Sequence, residues 1–146
     1  MKNYYYLFLV FFGLMSCGEA EEIEPHVTST EGVEITLDWT YGNSEEAALL
    51  NIDLDIAIYR ENNKILSSTN TQSFEKIEFS NAWDDGTYQI RVYPYAIAGE
   101  VNYRLKVASN QDNTNWAFNG LFLKEDQGLE QIFYLKKEGE QYRITY

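Results

Sequence analysis

From Val33 onward, apolar and polar residues alternate one for one. Val33, Ile35, Leu37, Trp39 and Tyr41 are interleaved with Glu34, Thr36, Asp38 and Thr40. Successive side chains of a strand point to opposite faces, so this spacing predicts a strand with one buried face. Ile52, Leu54, Ile56 and Ile58 repeat the pattern against Asp53, Asp55, Ala57 and Tyr59. Tyr88, Ile90 and Val92 do so against Gln89, Arg91 and Tyr93, and Val101, Tyr103, Leu105 and Val107 against Asn102, Arg104 and Lys106. Shorter candidates lie at Lys64–Ser68, Phe74–Ser80, Trp116–Lys124, Leu129–Lys137 and Gln141–Tyr146. Between them stand Glu61-Asn62-Asn63, Asp84-Asp85-Gly86, Gln111-Asp112-Asn113, Asp126-Gln127-Gly128 and Glu138-Gly139-Glu140. Asn, Asp and Gly tolerate positive φ or bond their own backbone, as a tight reversal requires. About nine short strands at this spacing predict an all-β fold, a single antiparallel β-sandwich of jelly-roll-like type. Ser44–Asn51 reads as the long loop joining two strands; a helical turn capped by Ser44 is the alternative.

The first residues follow a different rule. Lys2 precedes an almost wholly apolar run, Tyr4–Met15. That is the length of a secretory signal's apolar core, short of the ~20 residues a spanning helix needs. The run ends in Leu14-Met15-Ser16-Cys17, which resembles the bacterial lipobox. The resemblance implies removal of residues 1–16, a diacylglyceryl thioether on Cys17 and a fatty acyl chain such as palmitate on the new amino terminus. Each buried methylene contributes ~0.8 kcal/mol, so several chains on one residue would hold the protein to a bilayer. An ordinary signal peptide with an incidental Cys is the other reading. Residues 17–32 then form the lipidated Cys and an acidic flexible linker. Its start, Gly18-Glu19-Ala20-Glu21-Glu22-Ile23-Glu24-Pro25, resembles signals that export some lipoproteins to the cell surface; a plain solvated tether is the alternative. The expected location is the bacterial outer membrane, on its periplasmic or its cell-surface face.

Charge narrows the partners. The 146 residues carry 11 Lys plus Arg and 23 Asp plus Glu, a net charge of −12. That acidity repels nucleic-acid phosphates and anionic lipid alike. One Cys and one His exclude an intrachain disulfide, a multi-Cys zinc site and a His-rich metal centre. With Cys17 committed to lipid and His26 in the linker, no Cys-His or Ser-His-Asp set can form. A domain this small has little room for a deep cleft beside its core, so the expectation is a protein that is not an enzyme.

A second resemblance lies within the strands. Ile35-Thr36-Leu37-Asp38-Trp39 is followed by Asp53-Leu54-Asp55-Ile56-Ala57-Ile58-Tyr59, then Ser67-Ser68 and Phe74-Glu75-Lys76-Ile77. Asp85-Gly86-Thr87-Tyr88-Gln89-Ile90-Arg91-Val92 and Tyr103-Arg104-Leu105-Lys106-Val107 complete the series. In order and spacing these resemble the bacterial pre-peptidase C-terminal domain over about residues 33–108. The resemblance implies a small β-sandwich, usually an accessory module of secreted enzymes, non-catalytic, and associated with binding or secretion and in some members with calcium. The β-sandwich domain would span 33–146, with the strands of 109–146 either completing the sheets or adding to them.

Two sets of residues are candidates for binding. Asp53 and Asp55 share one strand face about 7 Å apart. With Asp38 on a neighbouring strand, and Glu45 and Glu46 nearby in sequence, they suggest an oxygen-lined calcium site, which needs about six to eight oxygens. The alternative is that these carboxylates bond backbone amides or keep a face soluble. Tyr93-Pro94-Tyr95 places two rings on the polar face, at an edge or a bulge because Pro94 lacks an amide hydrogen. Such rings stack on sugars or pack on a protein partner; the alternative is that they cover a loop or blunt an edge. Asp84-Asp85-Gly86 reads as a turn, and Trp39 and Trp116 as core. The expected function is a lipid-anchored envelope protein with a non-catalytic binding sandwich, its ligand a glycan, a protein or calcium. The alternative is a structural or accessory subunit of an envelope complex that pairs through a sheet edge.

Overall fold

The computed structural model describes residues 26–42, 44–70 and 73–146. The apolar N-terminal run, Cys17 and most of the linker lie outside the described residues. The described chain forms ten strands. They are β1 (His26–Thr28), β2 (Gly32–Tyr41), β3 (Ile52–Arg60), β4 (Asn63–Ser68), β5 (Phe74–Ser80), β6 (Gly86–Ile97), β7 (Val101–Ser109), β8 (Asn115–Phe122), β9 (Gln131–Glu138) and β10 (Gln141–Thr145). A helix, α1 (Glu45–Asn51), and one 3₁₀ turn, Lys124–Asp126, interrupt them. The six-stranded sheet has the order β1-β10-β9-β6-β3-β4, and the four-stranded sheet β5-β2-β7-β8. Every pairing is antiparallel. The result is the all-β sandwich that the alternation predicts.

The inward faces are the apolar halves of the alternating runs. Val33, Ile35, Leu37 and Trp39 of β2 meet Leu54, Ile56, Ile58, Ile90 and Val92 of the opposite sheet in one core. Burying each such side chain contributes roughly 1.5–3 kcal/mol, which makes this pattern the main determinant of register. The C-terminal strands complete both sheets. β9 and β10 fill the six-stranded sheet between β6 and β1, and β8 forms the edge beside β7. The inner face of β8 is aromatic: Trp116 stacks on Phe118 at 6.4 Å, and Tyr103 of β7 stacks on Phe122 at 4.8 Å. Tyr103 lies directly across from Gly120 and covers it; a Cβ there would sit 2.3 Å from the tyrosine ring. Trp39 is fully buried, as expected, whereas Trp116 is partly buried against the core.

Two expectations are corrected, and a third is settled between its two alternatives. Residues 26–28, read as linker, are a strand, because Val27 is fully buried and pairs with Tyr142. The segment after Ser44 is a helix rather than an open loop. The Ser44 hydroxyl accepts the Ala47 amide at 3.2 Å, Glu45 and Glu46 stand at the positive end of the helix, and Ala48 is buried. Lastly, Tyr93-Pro94-Tyr95 is not at an edge, since β6 lies between β9 and β3. It is a bulge: Leu54 pairs with Pro94 and Asp53 with Ala96, leaving Tyr95 without a partner. Pairing with β9 already ends at Val92, so no neighbouring strand requires an amide hydrogen from Pro94.

Asp84-Asp85-Gly86 works as a structural joint. Gly86 has φ +148°, a conformation that favours glycine. The Tyr88 hydroxyl donates to the Asp84 carbonyl at 2.5 Å, and the Asp84 carboxylate pairs with Arg60 at 2.8 Å. Asp85 accepts from the Lys137 ammonium and from the Gly139 amide, both at 2.9 Å, and so ties the β5–β6 turn to the β9–β10 hairpin.

Candidate functional site

The polar halves of β3, β4 and β6 make the outer face of the six-stranded sheet. Register sets them in rows. Asp55 lies beside Tyr93, Ala57 between Ser67 and Arg91, and Tyr59 between Lys64 and Gln89. Ala57 and Ser67 are small, while the rows on either side carry Tyr93, Tyr59 and Lys64, so the middle row is low over Ala57. The hollow over it is a groove of about 180 Å³, walled by Asp55, Tyr59, Lys64, Ser67, Arg91, Tyr93 and Glu130. Glu130 reaches it from the loop that precedes β9.

Arg91 is the most constrained group in the groove. Its guanidinium lies over the Tyr59 ring, 4.0 Å from the centroid. Its Nε and one terminal nitrogen donate to Gln89 Oε1 at 3.0 and 2.7 Å, and the other terminal nitrogen pairs with Glu130 at 3.2 Å. A planar fork held by two sheet residues and one loop carboxylate is presented in one orientation. Tyr93 is half-buried and walls the groove, while Tyr95 on the bulge is exposed, its ring 6.4 Å away and tilted by 50°. The two rings therefore share a face without forming a flat platform.

Asp55 in the groove wall and Asp53, two residues before it on β3, both have raised carboxyl pKa values. Burial pushes the Asp53 carboxyl above its ordinary range. Burial does the same to Asp55, reinforced by the charges of Asp53 and Glu75 and opposed by that of Lys64. Glu75 points inward from β5 and is fully buried. It accepts from the Ser68 hydroxyl, from the Asn70 amide at 2.5 Å and from the Asn70 side chain at 3.1 Å. This clasp of Ser68 and Glu75 closes the loop between β4 and β5.

The three aspartates proposed for calcium are not brought together. Asp53 and Asp55 are on β3, but Asp38 is on β2 in the other sheet, between Phe74 and Arg104. The outward faces of the two sheets of a sandwich look in opposite directions, which separates Asp38 from the pair. Glu45 and Glu46 sit on α1. Among the described residues, no group of three or more His, Cys, Asp or Glu side chains is arranged to hold a metal ion. Two carboxylates fall well short of the oxygen shell calcium takes. Asp38 and Arg104 instead border a hollow of about 450 Å³ on the four-stranded sheet, of mixed lining, with Thr40, Asn102, Tyr103 and Asn119.

Tyr59, Lys64, Arg91 and Glu130 were absent from the sequence candidates. The alternation does place Tyr59 and Arg91 on the polar face. Which strands neighbour each other, and in what register, decides that they meet. Cys17 lies outside the described residues. Among those residues, no helix is long and apolar enough to cross a membrane.

Comparison with known proteins supports the family resemblance over part of its expected extent: the match begins before Val33, at residue 26, and leaves Tyr103-Arg104-Leu105-Lys106-Val107 outside. Neither the curated proteins nor the solved structures give a match. The Ser68–Glu75 clasp and the Asp85-Gly86-Thr87-Tyr88 joint both fall inside a stretch for which a family model matches. Residues 26–94, from β1 to the bulge in β6, are similar to the bacterial pre-peptidase C-terminal domain.

Proposed function

We propose that this chain is a lipid-anchored protein of the bacterial cell envelope whose sandwich binds glycan without catalysis. The groove carries the reading: an aromatic wall, a fixed guanidinium and carboxylates converge on one rigid sheet face. Sugars offer apolar ring faces to stack and hydroxyls that both donate and accept, so a site for them needs those three kinds of group together. The matched family is compatible with a non-catalytic β-sandwich. The anchor rests on Leu14-Met15-Ser16-Cys17 behind its apolar run.

The test is a fluorescence titration of residues 18–146 with soluble envelope and plant-type polysaccharides. The expected result is a saturable change in aromatic emission that Tyr93→Ala abolishes while the circular dichroism spectrum is unchanged. Saturable binding that survives both Tyr93→Ala and Arg91→Ala would move the site elsewhere. A second reading, a subunit that pairs through an edge, draws on β8, an eight-residue edge strand with Leu121 47% exposed. That reading requires a stoichiometric envelope protein to co-purify with the chain from intact cells.

A further inference from the structure

The two sheets have four edge strands, β1 and β4 on one, β5 and β8 on the other. Three of them are blunted against further pairing. β1 is three residues long. β4 carries Lys64, and its register against β3 shifts between Ile58 and Tyr59. β5 turns the carboxylate of Glu75 inward and carries Lys76 and Glu78 outward. Shortness, irregular register and charge each stop an edge from adding a strand. β8 has none of them. Its eight residues, Asn115-Trp116-Ala117-Phe118-Asn119-Gly120-Leu121-Phe122, include no charge and no proline, and its register against β7 is unbroken. Trp116 and Phe118 face inward and meet Phe133 at 6.2 and 5.0 Å, yet both are only partly buried. Leu121 is exposed on the outer face. The free side of β8 therefore offers backbone hydrogen-bonding groups flanked by apolar side chains that another strand would cover.

The occupant that fits this edge is a second copy of it. The chain carries a net charge of −12, so copies repel wherever acidic faces meet, whereas β8 brings no charge to the contact. A two-fold axis makes the contact isologous and sets the residue at the axis against itself. Inward groups stay opposite inward groups only if the axis passes through a residue rather than between two. With the axis at Asn119, Phe118 of each copy lies opposite Gly120 of the other, Leu121 opposite Ala117, and Phe122 opposite Trp116. Large side chains meet small ones in two of these pairs, and two rings meet in the third. Asn119 faces its own copy, and an amide both donates and accepts. With the axis at Phe118 instead, two phenylalanines would collide and Leu121 would face Asn115. We infer that β8 pairs antiparallel with β8 of a second copy about a two-fold axis at Asn119, joining two four-stranded sheets into one. The inference is independent of the glycan reading, since the groove over Ala57 lies on the other sheet. It gives the edge of the second reading this chain itself as partner.

The experiment is analytical ultracentrifugation of residues 18–146, which hold no cysteine. Expected is a dimer that dissociates on dilution. Asn119 is exposed on the outer face, so Asn119→Lys sets two like charges at the axis without touching the core. It should weaken self-association at least about tenfold with an unchanged circular dichroism spectrum. Asn119→Cys should give a disulfide-linked dimer on mild oxidation, and Lys64→Cys, on the β4 edge, should not. A parent that sediments as a monomer even at the concentration of an NMR sample would overturn the inference and return the edge to a different protein. A dimer that survives Asn119→Lys, or cross-linking through Lys64→Cys as readily as through Asn119→Cys, would also overturn it by placing the contact elsewhere.

Discussion

Asp85 shows how much one side chain does in a fold with little helix. Its carboxylate receives a nearly buried ammonium, Lys137, with 5% side-chain exposure, and the amide of Gly139. Those two hydrogen bonds hold its pKa below the ordinary carboxylate value. A carboxyl depressed in the folded state contributes stability above its unfolded pKa and loses it as pH falls through the lower, folded value. Asp85→Asn should therefore lower the melting temperature at neutral pH, and the gap from the parent should close under acid, as followed by thermal melts from pH 7 to pH 2. Asp55 has the opposite sign, because its pKa is raised in the folded protein. Its ionisation costs stability at neutral pH, and that cost disappears as pH falls below the ordinary carboxylate range. Asp55→Asn should raise the melting temperature at pH 7, on the order of a degree, with no gain at pH 3. Gly120 is set by close approach, with the Tyr103 ring where its Cβ would be. Gly120→Ala should cost about 1–3 kcal/mol in chemical denaturation, because the Tyr103 ring is flanked by Phe118 and Phe122.

At the scale of elements, legibility followed length. β2, β3, β6 and β7 are nine to twelve residues long, and each shows several inward apolar groups at period two. Four or five repeats of a two-residue pattern leave little room for another structure. β1 has three residues and one buried side chain, which is no repeat at all. α1 buries only Ala48 and is marked by its cap and first-turn acids, signals that a loop also carries. Ser44→Ala should destabilise the protein by ~1 kcal/mol and loosen the amides of 45–51 in hydrogen exchange, leaving the sheets protected. The bulge at Tyr95 was legible in part. Pro94 announced an irregular ladder, but Pro serves at an edge and at a bulge alike. Only the chain beyond residue 128, which returns as β9 beside β6, makes that strand interior.

For the molecule as a whole, the sandwich was legible and the proposed binding face was not. Period-two hydrophobicity states which side of each strand is buried. It does not state which strands are neighbours. Asp38 and Asp55 read alike in sequence, yet topology sends them to opposite outer faces, while Arg91, Tyr59 and Glu130 come together from three separate segments. Cys17 is the remaining whole-molecule commitment. Cys17→Ser should move the protein from the membrane to the soluble fraction of lysed cells and abolish metabolic labelling with palmitate. The central claim, that the face over Ala57 is where ligand sits, is tested most directly by amide chemical shifts. Residues 18–146, labelled with nitrogen-15, would be titrated with the oligosaccharide that gives saturable binding in the fluorescence titration. The account predicts saturating shifts confined to the amides around Asp55, Ala57, Ser67, Arg91, Tyr93 and Glu130. Shifts centred instead on Asp38, Arg104 and Asn119 would contradict it.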